Sequence, residues 1–125
     1  MIRVYIASPY STGNQADNVR RSMVAFQHLA EYGFAPFAPL LSHFQHLYFP
    51  RPYESWLDMD MEWLRQCDVL VRLPGDSSGA DKEIADALRC NIPVYCIHED
   101  FLDRVTVCDH IKLLAMGGEH DRQKI

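Results

Sequence analysis

The stretch Val69-Leu70-Val71-Arg72-Leu73-Pro74-Gly75-Asp76-Ser77-Ser78-Gly79-Ala80-Asp81-Lys82-Glu83 decides the fold. Four of its first five residues are apolar and two, Val69 and Val71, are β-branched, the composition of a buried strand. Pro74 to Gly79 is turn chemistry, and beyond it Ala80, Ile84, Ala87 and Leu88 recur at helical spacing as far as Cys90. A strand that passes through a tight loop into a helix is the opening of a βαβ unit. The same pattern recurs outward from it. Arg3–Ala7 reads as a first strand, Ser8 to Asn14 as a turn, and Ala16–Tyr32 as a helix. Val19, Met23, Phe26, Leu29 and Ala30 share one face of that helix, and Gly33 stops it. Phe34–Ala38 is a second strand, and Pro36 suits it to a sheet edge. Leu40–Glu54 reads as irregular, and Ser55 as the cap of a helix from Trp56 to about Gln66. Pro93–Ile97 is a fourth strand, with Asn91 at the preceding helix end. Asp109–Met116 reads as helical after a short fifth strand near Arg104–Val107, and 117–125 as a frayed polar tail.

Strands alternating with helices imply an α/β fold, with an open, mostly parallel sheet of four to five strands covered on both faces. Right-handed crossovers place every strand C-terminus on one edge, which is where such sheets bind ligands. The loops expected there are 8–15, 39–55, 74–79 and the one after Ile97. Three of these carry the most unusual sequences in the chain.

At 125 residues the chain has room for one domain, spanning 1–125, with a core that needs no staples. A net charge of −5 argues against a nucleic-acid polymer or an anionic membrane surface as partner. No apolar run reaches the roughly 18–20 residues of a membrane span. The N-terminal apolar stretch is too short for a signal peptide, so the expected location is the cytoplasm. Cys67, Cys90, Cys96 and Cys108 form no C-x-x-C pair, so they read as reduced, mostly buried thiols.

Several constellations carry chemistry, and each also admits a plainer reading. Ser77, Ser78 and Gly79 can present backbone N–H groups to an anion or an oxygen-rich ligand, or simply cap a helix. Glu83 borders the apolar face of that helix, while Lys82, Asp86 and Arg89 represent its solvent side. Glu83 is either a desolvated carboxylate aimed at the ligand edge or a first-turn acid favoured by the helix dipole. Asp60 has Trp56, Trp63 and Leu64 at helical spacing, whereas Asp58 has Glu54, Ser55, Met61 and Glu62. A carboxylate among tryptophans must be paired or used, so Asp60 is the better candidate for chemistry. Tyr5 ends near the ligand edge, where its hydroxyl can meet a carboxylate or fill the core. Ser8, Ser11, Thr12, Gly13 and Asn14 suit sugar or phosphate oxygens, or a turn. His43 and His46, three apart with no third ligand fixed by spacing, are weak grounds for a metal, so neither a metal nor a cofactor is expected. Phe44, Tyr48, Phe49 and Tyr53 can lid a pocket over a flat ring or bury in a subunit interface.

Taken in order, Tyr5-Ile6-Ala7-Ser8-Pro9-Tyr10-Ser11, Trp56-Leu57-Asp58-Met59-Asp60, Cys67-Asp68-Val69 and Ser77 to Ile84 carry a resemblance. The chain resembles the nucleoside 2-deoxyribosyltransferases and 2′-deoxynucleoside 5′-phosphate N-hydrolases, and is most like the small uncharacterised bacterial and phage members of that group. The resemblance covers Arg3 to about Val94. It implies a flavodoxin-like three-layer sandwich, a homodimer or larger assembly, and cleavage of the N-glycosidic bond of a nucleoside or nucleotide. By motif, Glu83 matches the nucleophile, Asp60 the assisting carboxylate, and Tyr5 the tyrosine that orients the nucleophile. Ser77, Ser78 and Gly79, with Ser8, Pro9, Ser11, Thr12 and Gly13, match the two ligand loops. His43, from the aromatic stretch, joins them as a substrate contact. The basic first-loop residue of phosphate-binding members is missing from Tyr10-Ser11-Thr12-Gly13, and Arg20 and Arg21 lie a turn or more into the next helix.

The resemblance implies a covalent mechanism. Glu83 would trap the anomeric carbon as the base departs, and Asp60 would steer the proton to the base or help a water enter. Water as acceptor makes a hydrolase and a second base makes a transferase. A carboxylate pair about 5–5.5 Å apart would suit the covalent intermediate. One alternative is a nucleotide-binding module that kept the pocket without turnover. A phosphoacceptor domain of the same fold class is disfavoured, because Leu73-Pro74 stands where its aspartate should end the third strand.

Overall fold

Four short segments pair into one sheet: β1 (Arg3–Ala7), β2 (Ala35–Phe37), β3 (Val69–Arg72) and β4 (Val94–Cys96). The helices are α1 (Gln15–Tyr32), α2 (His43–Tyr48), α3 (Tyr53–Leu64), α4 (Ser78–Arg89) and α5 (Arg104–Gln123), with a 3-10 turn over Pro39–Ser42. This computed structural model describes residues 1–98 and 104–123, and side chains as far as residue 117. Among the described residues no helix is long and apolar enough to cross a membrane.

All pairings are parallel and the strand order is β2-β1-β3-β4. The chain leaves β1 in one direction and β3 in the other, so the topological switch point lies between these two strands. Strand alternation divides the core into two layers. Val4, Ile6, Val69 and Val71 face α1 and α5, where they meet Leu29, Cys108 and Ile111. Tyr5, Ala7 and Leu70 face the opposite way, toward Met61 and Leu64 of α3 and Ala80 and Ala87 of α4. The result is the three-layer α/β sandwich expected, with four strands. Pro36 sits on β2, an edge strand, where its missing N–H is tolerated.

Local chemistry ends the helices where the residues dictate. Asn14 caps α1 by accepting from the Asp17 N–H at 3.0 Å. Gly33 at φ +110 closes it, with Phe34 N–H reaching Leu29 O at 3.1 Å. Ser77 Oγ accepts from Ala80 N–H at 3.1 Å and caps α4. Asn91 takes the left-handed conformation just past that helix. Gly75, at φ +116, lets the β3–α4 loop close on the first loop: a Cβ there would stand 2.9 Å from Pro9 Cγ.

Several expectations need correcting. The segment 40–54 is not irregular: it holds the 3-10 turn, α2 and the start of α3. Helix α3 begins at Tyr53 behind Pro52, whose carbonyl accepts from Ser55 and Trp56, so Ser55 lies inside the helix and does not cap it. Residues 104–107 belong to α5 and form no fifth strand. On α4, Asp86 is buried between Arg89, at 3.1 Å, and Arg65, at 4.0 Å. Leu88, assigned to the apolar face, is exposed instead. The four cysteines form no disulfide: Cys67 and Cys108 are buried, Cys90 is half-buried and Cys96 is exposed. Part of the loop after Ile97 lies outside the described residues.

Candidate active site

A cavity of about 620 Å³ opens at the C-terminal ends of β1 and β3. That volume falls within the usual range for small-molecule sites. Its walls are the first loop, the segment 39–53, one face of α3, and the start of α4. These are three of the four loops that the strand order directs to the ligand edge.

Glu83 lies one turn into α4 on the side that packs against the sheet, and is 8% exposed. The alternation of β1 sends Tyr5 to this same layer, where its ring packs 5.6 Å from Phe37 and its hydroxyl donates to Glu83 Oε2. Burial pushes the Glu83 carboxyl up to about 8. The Tyr5 hydrogen bond opposes this, the Asp60 charge adds to it, and Arg72 opposes it. Arg72 itself is held by the Leu73 and Gly75 carbonyls and by Asp81 at 3.4 Å. Tyr5 is driven far above the ordinary phenol value by burial and by the Glu83 charge, so it stays a donor.

Asp60 is half-buried on the cavity face of α3, and desolvation raises its carboxyl to about 6. Two carboxylates with raised affinity for protons therefore share one cavity. Asp58 is exposed on the other side of the helix. The first loop lines the same cavity with Ser8, Ser11 and Thr12, and the start of α4 with Ser77, Ser78 and Gly79. Ser8 Oγ is buried without a protein hydrogen-bond partner, leaving it free to bond a ligand oxygen. A Cβ on Gly79 would stand 3.0 Å from the Tyr53 hydroxyl, so glycine lets the helix start close to that ring.

His43 faces the cavity and meets the Tyr10 hydroxyl at 2.5 Å. Pro9 and Gly13 do not line it: Pro9 packs toward Gly75, and Gly13 turns the loop at φ +83. Sequence reasoning missed His46, Arg51 and Trp56 as lining residues. The Trp56 indole N–H donates to His46 Nδ1 at 2.7 Å, and the Arg51 guanidinium packs 5.5 Å from the Trp56 ring. The three-residue spacing of His43 and His46 would have pointed both to one side had α2 been foreseen. Among the described residues, no three His, Cys, Asp or Glu side chains group as a metal site.

A family defined as a domain of unknown function, DUF7768, matches residues 2–97. The chain belongs to the DUF7768 family. The matched DUF7768 span runs from before β1 to just past β4 and holds Tyr5, Asp60 and Glu83; α5 lies beyond it. No curated protein matches the sequence. A solved structure does: a 2-deoxyribosyltransferase from the psychrotolerant bacterium Bacillus psychrosaccharolyticus, described as a biocatalyst for nucleoside synthesis. It is 19% identical, with a TM-score of 0.57, over 75% of this chain and 70% of that one. The likeness shows that this DUF7768 chain shares the flavodoxin-like fold of that enzyme.

Proposed function

We propose that the cavity cleaves the N-glycosidic bond of a (deoxy)nucleoside or nucleotide, with Glu83 as nucleophile. The observation that carries this reading is the buried Glu83 carboxyl, bonded by Tyr5 and sharing one cavity with the half-buried Asp60. The shared fold with a 2-deoxyribosyltransferase supports it.

The chemistry follows from charge. A Glu83 oxygen forms a bond to the anomeric carbon as the carbon–nitrogen bond breaks. The base leaves with the bonding pair and takes a proton from solvent. Asp60, ionised before Glu83, holds the developing sugar cation and guides the incoming acceptor. Tyr5 positions Glu83. Water then displaces Glu83 in a hydrolase, giving its proton to solvent, and a second base does so in a transferase. Hydroxyls of the first loop and the start of α4 take the sugar oxygens.

Incubation with a panel of nucleosides and nucleotides, with free base detected by chromatography, tests the reading; release from none of them overturns it. Asp60→Asn is expected to reduce release by at least about a hundredfold, because it removes a charge facing the cation. Asp58→Asn should stay within about threefold, since that side chain is exposed. Equal effects of the two would remove Asp60 from the mechanism.

The same reading includes a homodimer. Phe44, Tyr48 and Phe49 are 67%, 78% and 70% exposed at the cavity rim segment, more apolar ring surface than a lone chain ordinarily leaves in water. Sedimentation velocity at micromolar concentration should show a dimer, and a monomer alone would refute that assembly.

A further inference from the structure

Outside the carboxylate pair, the least explained feature of the cavity is the His46–Trp56 contact. An indole N–H can only donate, so His46 Nδ1, 2.7 Å away, must carry a lone pair. The neutral ring therefore keeps its proton on Nε2. With Nδ1 occupied, Nε2 is the nitrogen left to meet a ligand, and it can offer a donor but no acceptor. His43 is not constrained in this way, because the Tyr10 hydroxyl at its Nδ1 can donate or accept. Trp56 is itself held: it meets the His46 ring edge-on at 5.9 Å, with Arg51 packed on it at 5.5 Å.

Placement gives this donor a use. Trp56 lies four residues before Asp60 on α3, so the two share a face one turn apart. One turn is about 5.4 Å, roughly the breadth of a base from its glycosidic nitrogen to its far edge. His46 lines the same cavity as Asp60 and Glu83 and bonds the ring one turn from Asp60, so it can meet the edge of a base whose sugar lies at the carboxylates.

We propose that His46 determines base specificity: locked by Trp56 as a donor, it selects bases with a carbonyl oxygen at the far edge over those with an amino group there. The proposal rests on the nucleoside reading of the cavity. An amino group would oppose donor to donor and leave both unpaired, which a binding site penalises heavily. Trp56 acts through His46 as a positioning residue.

The test uses the whole chain and two matched pairs of free bases, hypoxanthine with adenine and uracil with cytosine, measured by calorimetry. The carbonyl member of at least one pair should bind about tenfold or more tightly. His46→Phe keeps a flat ring without the donor and should bring that pair within about threefold, chiefly by weakening the carbonyl member. Trp56→Phe keeps a ring without the N–H and should narrow the preference too. Ring 15N shifts of His46 should show an unprotonated Nδ1 in the unaltered protein and a mixture in Trp56→Phe. Equal binding within both pairs, or a protonated neutral-form Nδ1 in the unaltered protein, overturns the proposal and leaves the nucleoside reading standing. Binding of no base, together with no base release from any nucleoside, overturns both.

Discussion

Glu83→Gln is expected to cut release of free base by several orders of magnitude. The substitution preserves shape, and the Tyr5 hydroxyl can still donate to the remaining carbonyl oxygen. What disappears is the negative oxygen that bonds the anomeric carbon. Burial amplifies the loss: at 8% exposure little water competes for the carboxylate, so its charge acts on the sugar cation with little screening. Residues that act as a unit, here Glu83 with Tyr5 and Asp60, fail together when the reacting member is removed. The measurement is base release by chromatography, on whichever substrate the unaltered protein accepts. Activity retained within about tenfold, or about 1.4 kcal/mol of barrier, would reduce Glu83 to a helix-start acid.

Much of the fold was legible because its elements are decided locally. In β1, Val4 and Ile6 alternate with Tyr5 and Ala7, and the sheet buries both sets. Gly33 stops α1 at a positive φ that other residues resist. The Tyr5–Glu83 contact joins residues 78 positions apart. The residues alone bring Tyr5 toward the ligand edge and leave its hydroxyl open between a carboxylate and the core; its pairing with Glu83 is what the family resemblance implies.

The misreadings have physical causes. Val105, Thr106 and Val107 look like strand residues, but the buried Cys108, Ile111 and Ala115 continue at helical spacing and draw that segment into α5. Helix α2 has no buried residues, so it lacks the apolar stripe by which a helix is recognised in sequence. Asp86 read as solvated because charged residues usually are. It is buried beside Arg89, one turn on at 3.1 Å, and 4.0 Å from Arg65, the residue that follows α3 and approaches only in the folded chain. The His46–Trp56 bond is a tertiary contact across the α2–α3 turn, with no sequence signature of its own.

The second large effect expected is a pH dependence of opposite sign for activity and stability. Burial raises the Glu83 carboxyl from the ordinary 4.5 to about 8. The nucleophile must be ionised, so kcat/KM should climb with pH along a limb centred near 8 and then level off, since Asp60, raised by desolvation to about 6, is already ionised there. Stability runs the other way. Between about 4.5 and about 8 the folded chain holds a proton on Glu83 that the unfolded chain has released, so ΔG of unfolding falls as pH rises through that window. Each pH unit of the window is worth up to about 1.4 kcal/mol, so the loss is on the order of a few kcal/mol. Asp60 adds a smaller loss between about 4 and about 6. Glu83→Gln has no proton to release and should melt at a higher temperature than the unaltered protein at pH 9, with most of the slope above pH 6 gone. Thermal melts of both proteins from pH 4 to 9 make the comparison, and they need no substrate. A melting temperature of the unaltered protein that stays flat or rises from pH 6 to 8, or an activity limb near 4.5, would mean that Glu83 ionises as an ordinary carboxyl. Its burial would then not be what sets the chemistry of the cavity.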